Sequence, residues 1–113
     1  MRKDAEEQIQ QLQMVEHSLH QMLQQRQQFQ AQLMEVDSAL QEIHEGKDAF
    51  KIIGSVMVSV APEVLKKEMQ EKKEMLSVRI KSVQKREEEL KAKAKEMQQK
   101  VLDALPKQKD HGE

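Results

Sequence analysis

The stretch "AFKIIGSVMVSV", Ala49 to Val60, is rich in β-branched residues, carries one charge and contains an internal Gly. The chain around it is Gln, Glu and Lys with apolar residues at helical spacing. Val, Ile and Phe suit a pleated, half-buried surface, so "FKII" and "VMVSV" read as two strands, with Gly54 and Ser55 between them as the turn of a β-hairpin. A lone two-stranded hairpin is marginally stable in water and leaves both of its edges unpaired. The expectation is an exposed apolar face drawn from Phe50, Ile52, Val56, Val58 or Val60. That face should pair with hairpins of other chains into a closed sheet. Phe50, Ile52, Ile53, Gly54, Val56, Met57, Val58 and Val60 are therefore the expected oligomerisation residues.

Outward from the hairpin, breakers end the strand-like region on both sides. "HEGKD" places Gly46 near the C-cap of a preceding helix, and "VAPEV" places Pro62 at the first position of a following one, with Glu63 in its first turn. The expected organisation of residues 1–113 is a single domain. A first helix covers 1–45, the hairpin 46–61, a second helix 62–105 and a flexible tail 106–113. Each helix would span about 65 Å at the usual rise.

Heptads organise both flanks. Ala5, Leu12, Leu19, Arg26, Leu33 and Leu40 recur every seven residues, as do Val15, Met22, Phe29, Val36 and Ile43; together they form the a and d positions of a coiled-coil seam. In the second flank Met69, Leu76, Val83, Leu90, Met97 and Ala104 form one series, and Lys66, Lys73, Ile80, Glu87, Ala94 and Val101 a weaker one. Each seam is the nearest partner of the other. In an antiparallel pair the two position numbers of every layer share a constant total, and 109 places Leu33 with Leu76, Phe29 with Ile80 and Ile43 with Lys66. The same register predicts a polar layer in which Arg26 and Glu87 approach. The fold class is thus mainly α: a long antiparallel two-helix coiled coil joined by a single β-hairpin that assembles into an oligomeric hub.

Charge supports the pairing. Lys and Arg against Asp and Glu number 3 and 8 over residues 1–45, but 14 and 11 over residues 62–113. The second flank is basic on balance, yet its Lys residues alternate with Glu in "KKEMQEKKEM" and "KREEELKAKAKEM", the pattern of a solvated helix laced with i,i+4 pairs. With no one-signed basic face and 2% aromatic residues, a nucleic-acid partner is not expected. A membrane-surface role would need a basic and apolar amphipath, which these Glu-rich helices do not offer.

Further function classes are excluded by what is missing. With 35% charged residues and only three Gly and two Pro, the chain lacks the composition of a globular core. There is no Cys, hence no disulfide framework, thiolate chemistry or Cys-based zinc site. No apolar window reaches the roughly 18 residues of a membrane span, and "MRKDAEEQIQ" turns polar where a secretory signal needs an apolar run, so a cytoplasmic protein is expected. There is no phosphate-binding Gly loop and no nucleophile with a base, so neither an enzyme nor a cofactor is expected. His17 and His20 stand three apart on the first helix but outside the seam, where they read as part of a solvated face rather than as metal ligands.

The central pattern closely resembles the prefoldin family, in its β class: an aromatic residue, Lys, any residue, aliphatic, Gly, any residue, then alternating aliphatics, here Phe50, Lys51, Ile53, Gly54, Val56, Met57 and Val58. The resemblance extends into "EMQEKKEMLSVRI", Glu68 to Ile80, and covers almost the whole chain. Ser59, Val60 and Pro62 depart from it, standing where many relatives have Lys or Thr. What the resemblance implies is an ATP-independent chaperone: two α-class and four β-class subunits joined through double β-barrels. Coiled coils would project from the barrels, hold unfolded polypeptides and pass them to a group II chaperonin. Off-seam Met14, with Ile9, Val101, Leu102 and Leu105, clusters where both termini should meet, and the resemblance implies client binding there. The alternative is a structural or adaptor coiled coil, which would show a partner helix and no free apolar tip.

Overall fold

The computed structural model describes residues 2–104; Met1, and with it Leu105 and the expected tail 106–113, lie outside the described residues. The element order is α1 (Arg2–Glu42), β1 (Ala49–Ile53), β2 (Val56–Val60) and α2 (Pro62–Ala104). Two compact units result: one holds the described residues through Gln25 and from Val83 onward, and the other is Arg26–Ser82.

In the first unit the apolar side chains that leave water are Ala5, Val83, Leu90, Ala94 and Val101, and Glu87 is buried with them. On α2 these positions are the expected a and d residues. Leu12, Val15, Leu19 and Met22 are half-buried along α1. The opposite surfaces carry charge, with local pairs such as Lys100 to Glu96 at 3.7 Å, one turn apart.

In the Arg26–Ser82 unit the two helices pair antiparallel. Leu76 is the most deeply buried side chain, with Val36 and Ile80 beside it in the core. Lys73 Nζ lies 2.9 Å from Asp37 Oδ1, and the Arg79 guanidinium sits 5.7 Å from the centre of the Phe29 ring. Those position numbers total 110 and 108, either side of the expected 109, so within this unit the register follows the heptads. Lys66 and Lys73, at weak a positions, stay exposed. A Lys at a seam position keeps its ammonium in water, and here Lys73 turns out to meet a carboxylate.

Helix α1 stops at Glu42, three residues before the expected limit. Gly46 is not its C-cap. It is the third residue of a separate turn in which the Lys47 amide donates to the His44 carbonyl at 3.3 Å, and its φ of +79° is the left-handed value that a type II turn requires there. Helix α2 begins as expected at Pro62, whose missing amide costs nothing at that position, and the Ala61 carbonyl accepts from the Val64 and Leu65 amides at 3.1 Å.

Between the helices, β1 and β2 pair antiparallel with Ile53 opposite Val56 and Ala49 opposite Val60. The loop is therefore two residues long. Gly54 has φ +62° while Ser55 does not have positive φ, which is the type II′ turn, whose twist matches that of the strands. This register corrects one expectation. Because side chains alternate along a strand, Phe50 and Ile52 lie with Met57 and Ser59 on one face, while Val56, Val58 and Val60 lie with Ala49, Lys51 and Ile53 on the other. There is no single apolar face holding Phe50, Ile52 and the three Val residues; both faces are apolar.

Candidate functional site

Two groups of residues are candidates, one in each unit. The hairpin group is defined by exposure. Phe50, Ile52, Ile53, Val56, Met57 and Val58 are all solvent-exposed, from 40% for Val58 to 69% for Ile52, and Val60 at the strand end is half-buried. A two-stranded sheet offers two edges of unpaired backbone donors and acceptors, and among the described residues no third strand covers either one. Six large apolar side chains and two open edges within twelve residues are far more than the scattered single exposures ordinary on a protein surface.

The base of the hairpin carries the feature that periodicity did not reveal. Lys51 Nζ lies 2.9 Å from Glu68 Oε2 on the second turn of α2, each side chain about two-fifths exposed (41% and 43%). Beside this pair an open concavity of about 440 Å³ has apolar walls at Ala39, Ile43, Leu65 and Met69, is bounded by the β1 residues Ala49 to Ile52, and is also lined by Glu42, His44, Lys47 and Asp48. The only signal in the sequence was that Lys51 is the sole charge between Ala49 and Val60. Its partner stands 17 residues away, beyond any local spacing rule.

The second group, in the unit with the chain termini, is divided by the structure. Met14 is 70% exposed and Leu102 65%, so both present apolar surface to solvent. Ile9 is half-buried. Val101 is corrected: at 9% exposure it is part of the core, because its a position turns it inward and leaves the outer surface to its neighbour Leu102. Leu105 lies outside the described residues. Gln8, one residue before Ile9, has a buried Oε1 without a hydrogen-bond partner among the described residues.

His17 and His20 are both exposed, and among the described residues no cluster of three His, Cys, Asp or Glu could hold a metal ion. None of the described helices is long and apolar enough to cross a membrane.

Two long helices joined by a β-hairpin whose edges no other described strand covers define a coiled-coil protein of the kind built into assemblies. The family model described as "Prefoldin subunit" matches residues 6–108, and the chain belongs to that family. It is 35% identical over 103 residues to the prefoldin subunit beta of Archaeoglobus fulgidus, covering 88% of this chain and 89% of the relative. It is 30% identical over 103 residues to that of Sulfurisphaera tokodaii, covering 88% and 82%. The crystal structure of the prefoldin beta subunit from Thermococcus strain KS-1 superimposes with a TM-score of 0.82 at 28% identity, over 90% of this chain and 92% of that one. A chaperone-type function and assembly with other prefoldin subunits follow from this membership.

Proposed function

We propose that this chain is the β-class subunit of a cytoplasmic, ATP-independent chaperone. Four copies join two α-class subunits through their hairpins, hold unfolded polypeptides, and deliver them to a group II chaperonin without catalysing a reaction. The observation that carries this reading is the hairpin itself. Its exposed apolar side chains and two unpaired edges are stable only when other strands cover them. Apolar burial is worth about 25 cal/mol per Å², so each exposed Ile or Val that enters such a sheet contributes on the order of 1 to 2 kcal/mol.

Clients are held by exposed, adaptable apolar side chains, of which Met14 and Leu102 are the described examples. Met suits this task because its unbranched, polarisable side chain adapts to unlike surfaces. Each contact is weak, and several subunits acting on one client raise the effective concentration enough to hold it.

The test is suppression of aggregation. Chain carrying Met14→Gln and Leu102→Gln is co-assembled with an α-class prefoldin subunit and mixed with a chemically unfolded test enzyme on dilution into buffer. Light scattering should show suppression falling by about half or more while the mass of the assembly stays that of the parent. Undiminished suppression would remove these residues from client binding, and a parent assembly that suppresses nothing would favour the adaptor reading.

A further inference from the structure

We propose that the ion pair between Lys51 and Glu68 is a positioning contact. It sets the angle at which the hairpin stands on α2, and so sets how readily the hairpin enters a sheet with a partner subunit's strands. The inference rests on the hairpin being the assembly element.

Three observations carry it. Lys51 sits mid-strand on the face it shares with Ala49, Ile53, Val56, Val58 and Val60, and is the only charge there. A lone ammonium on a face that assembly covers would oppose closure of the sheet; meeting a carboxylate of its own chain at 2.9 Å lowers that penalty before any partner arrives. Glu68 lies seven residues past Ala61, about 10 Å along the helix, so the contact lies well beyond the two backbone links at Asp48 and Ala61 and limits rocking of the hairpin about them. Finally, the concavity beside the pair is open, and although Glu42, His44, Lys47 and Asp48 also line it, Ile43, Leu65 and Met69 give it an apolar wall. An untethered apolar hairpin would gain by folding its own side chains into that space. Lys51 and Glu68, joined at fixed spacing, hold it in the orientation that leaves its edges free.

A hairpin that spends only a fraction of its time in the competent orientation binds its partner more weakly by that fraction. A half-exposed ion pair shifts such an equilibrium by a modest factor, so Lys51→Met should weaken co-assembly with an α-class subunit by about two- to fivefold. Melting of the α1 and α2 helices should be unchanged, because the Met side chain retains the apolar stem. Lys51→Glu, which sets two carboxylates against each other, should weaken it further, and the exchange Lys51→Glu with Glu68→Lys should restore it toward the parent.

The experiment is titration of each variant with a fixed amount of α-class subunit, read by sedimentation velocity, with helix content followed by circular dichroism. Ile53→Asp is carried alongside as a control for the assembly role of the hairpin. Loss in Lys51→Glu and recovery in the exchange variant support the proposal. Equal weakening in both, with helix content intact, overturns it, since the pairing would then be irrelevant. Normal assembly of Lys51→Glu while Ile53→Asp fails also overturns it but leaves the hairpin as the assembly element. Normal assembly of Ile53→Asp as well would remove that reading too.

Discussion

Leu76 keeps only 1% of its surface in water, more completely buried than any other large side chain among the described residues. Removing its three outer carbons leaves a cavity that straight helices cannot close, so Leu76→Ala should cost about 2 to 5 kcal/mol, seen as a lower urea midpoint in far-UV circular dichroism. Gly54 presents the opposite case. Nothing lies within 4 Å of a Cβ placed on it, so its requirement is purely conformational, set by φ +62°. Gly54→Val should cost about 1 to 2 kcal/mol or more through backbone strain, and Gly54→Asn less, because Asn tolerates positive φ. At this scale much was legible in the chain. Leu76, Ile80, Val83, Glu87, Leu90 and Ala94 are buried where the heptads put them. Val101 shows the limit: its a position predicted burial while its place near the terminus suggested a client surface, and burial prevailed. Lys73 shows another. Periodicity names a seam position but cannot tell that a long cationic side chain there will reach out to Asp37.

At the scale of elements, α2 has a weak start. Ala61 is its N-cap and has no side-chain oxygen to accept from the first-turn amides; only its carbonyl accepts, from Val64 and Leu65. Ala61→Asp or Ala61→Ser should stabilise the helix by about 0.5 to 2 kcal/mol, measured as a raised thermal midpoint, and Asp also complements the helix dipole. A lowered midpoint would show that the N-cap is set elsewhere. The hairpin was legible as an element because Gly54 and Ser55 fit a two-residue loop between β-branched runs. Its faces needed the register: with Ile53 opposite Val56, strand alternation divides Phe50 and Ile52 from Val56, Val58 and Val60. The early end of α1 at Glu42 was hidden by Ile43, which continues the heptad after the helical backbone has stopped. The Lys51–Glu68 contact was hidden because it joins a strand to a helix, and no single period relates the two.

For the molecule as a whole, we infer that the hairpin is what makes this chain a subunit. The two helices bury their seams against residues of the same chain, whereas six large apolar side chains of the hairpin stay exposed and, among the described residues, no further strand covers its edges. The most direct measurement is mass in solution, by sedimentation equilibrium, of the parent chain and of the variant Ile53→Asp with Val58→Asp, each mixed with an α-class prefoldin subunit. Burying an unpaired carboxylate in a closed sheet costs several kcal/mol, enough to prevent closure. The parent should form a particle of six subunits, and the variant should keep its helix content but fail to enter the particle. A variant that co-assembles at the parent's mass would show that the hairpin does not join the subunits.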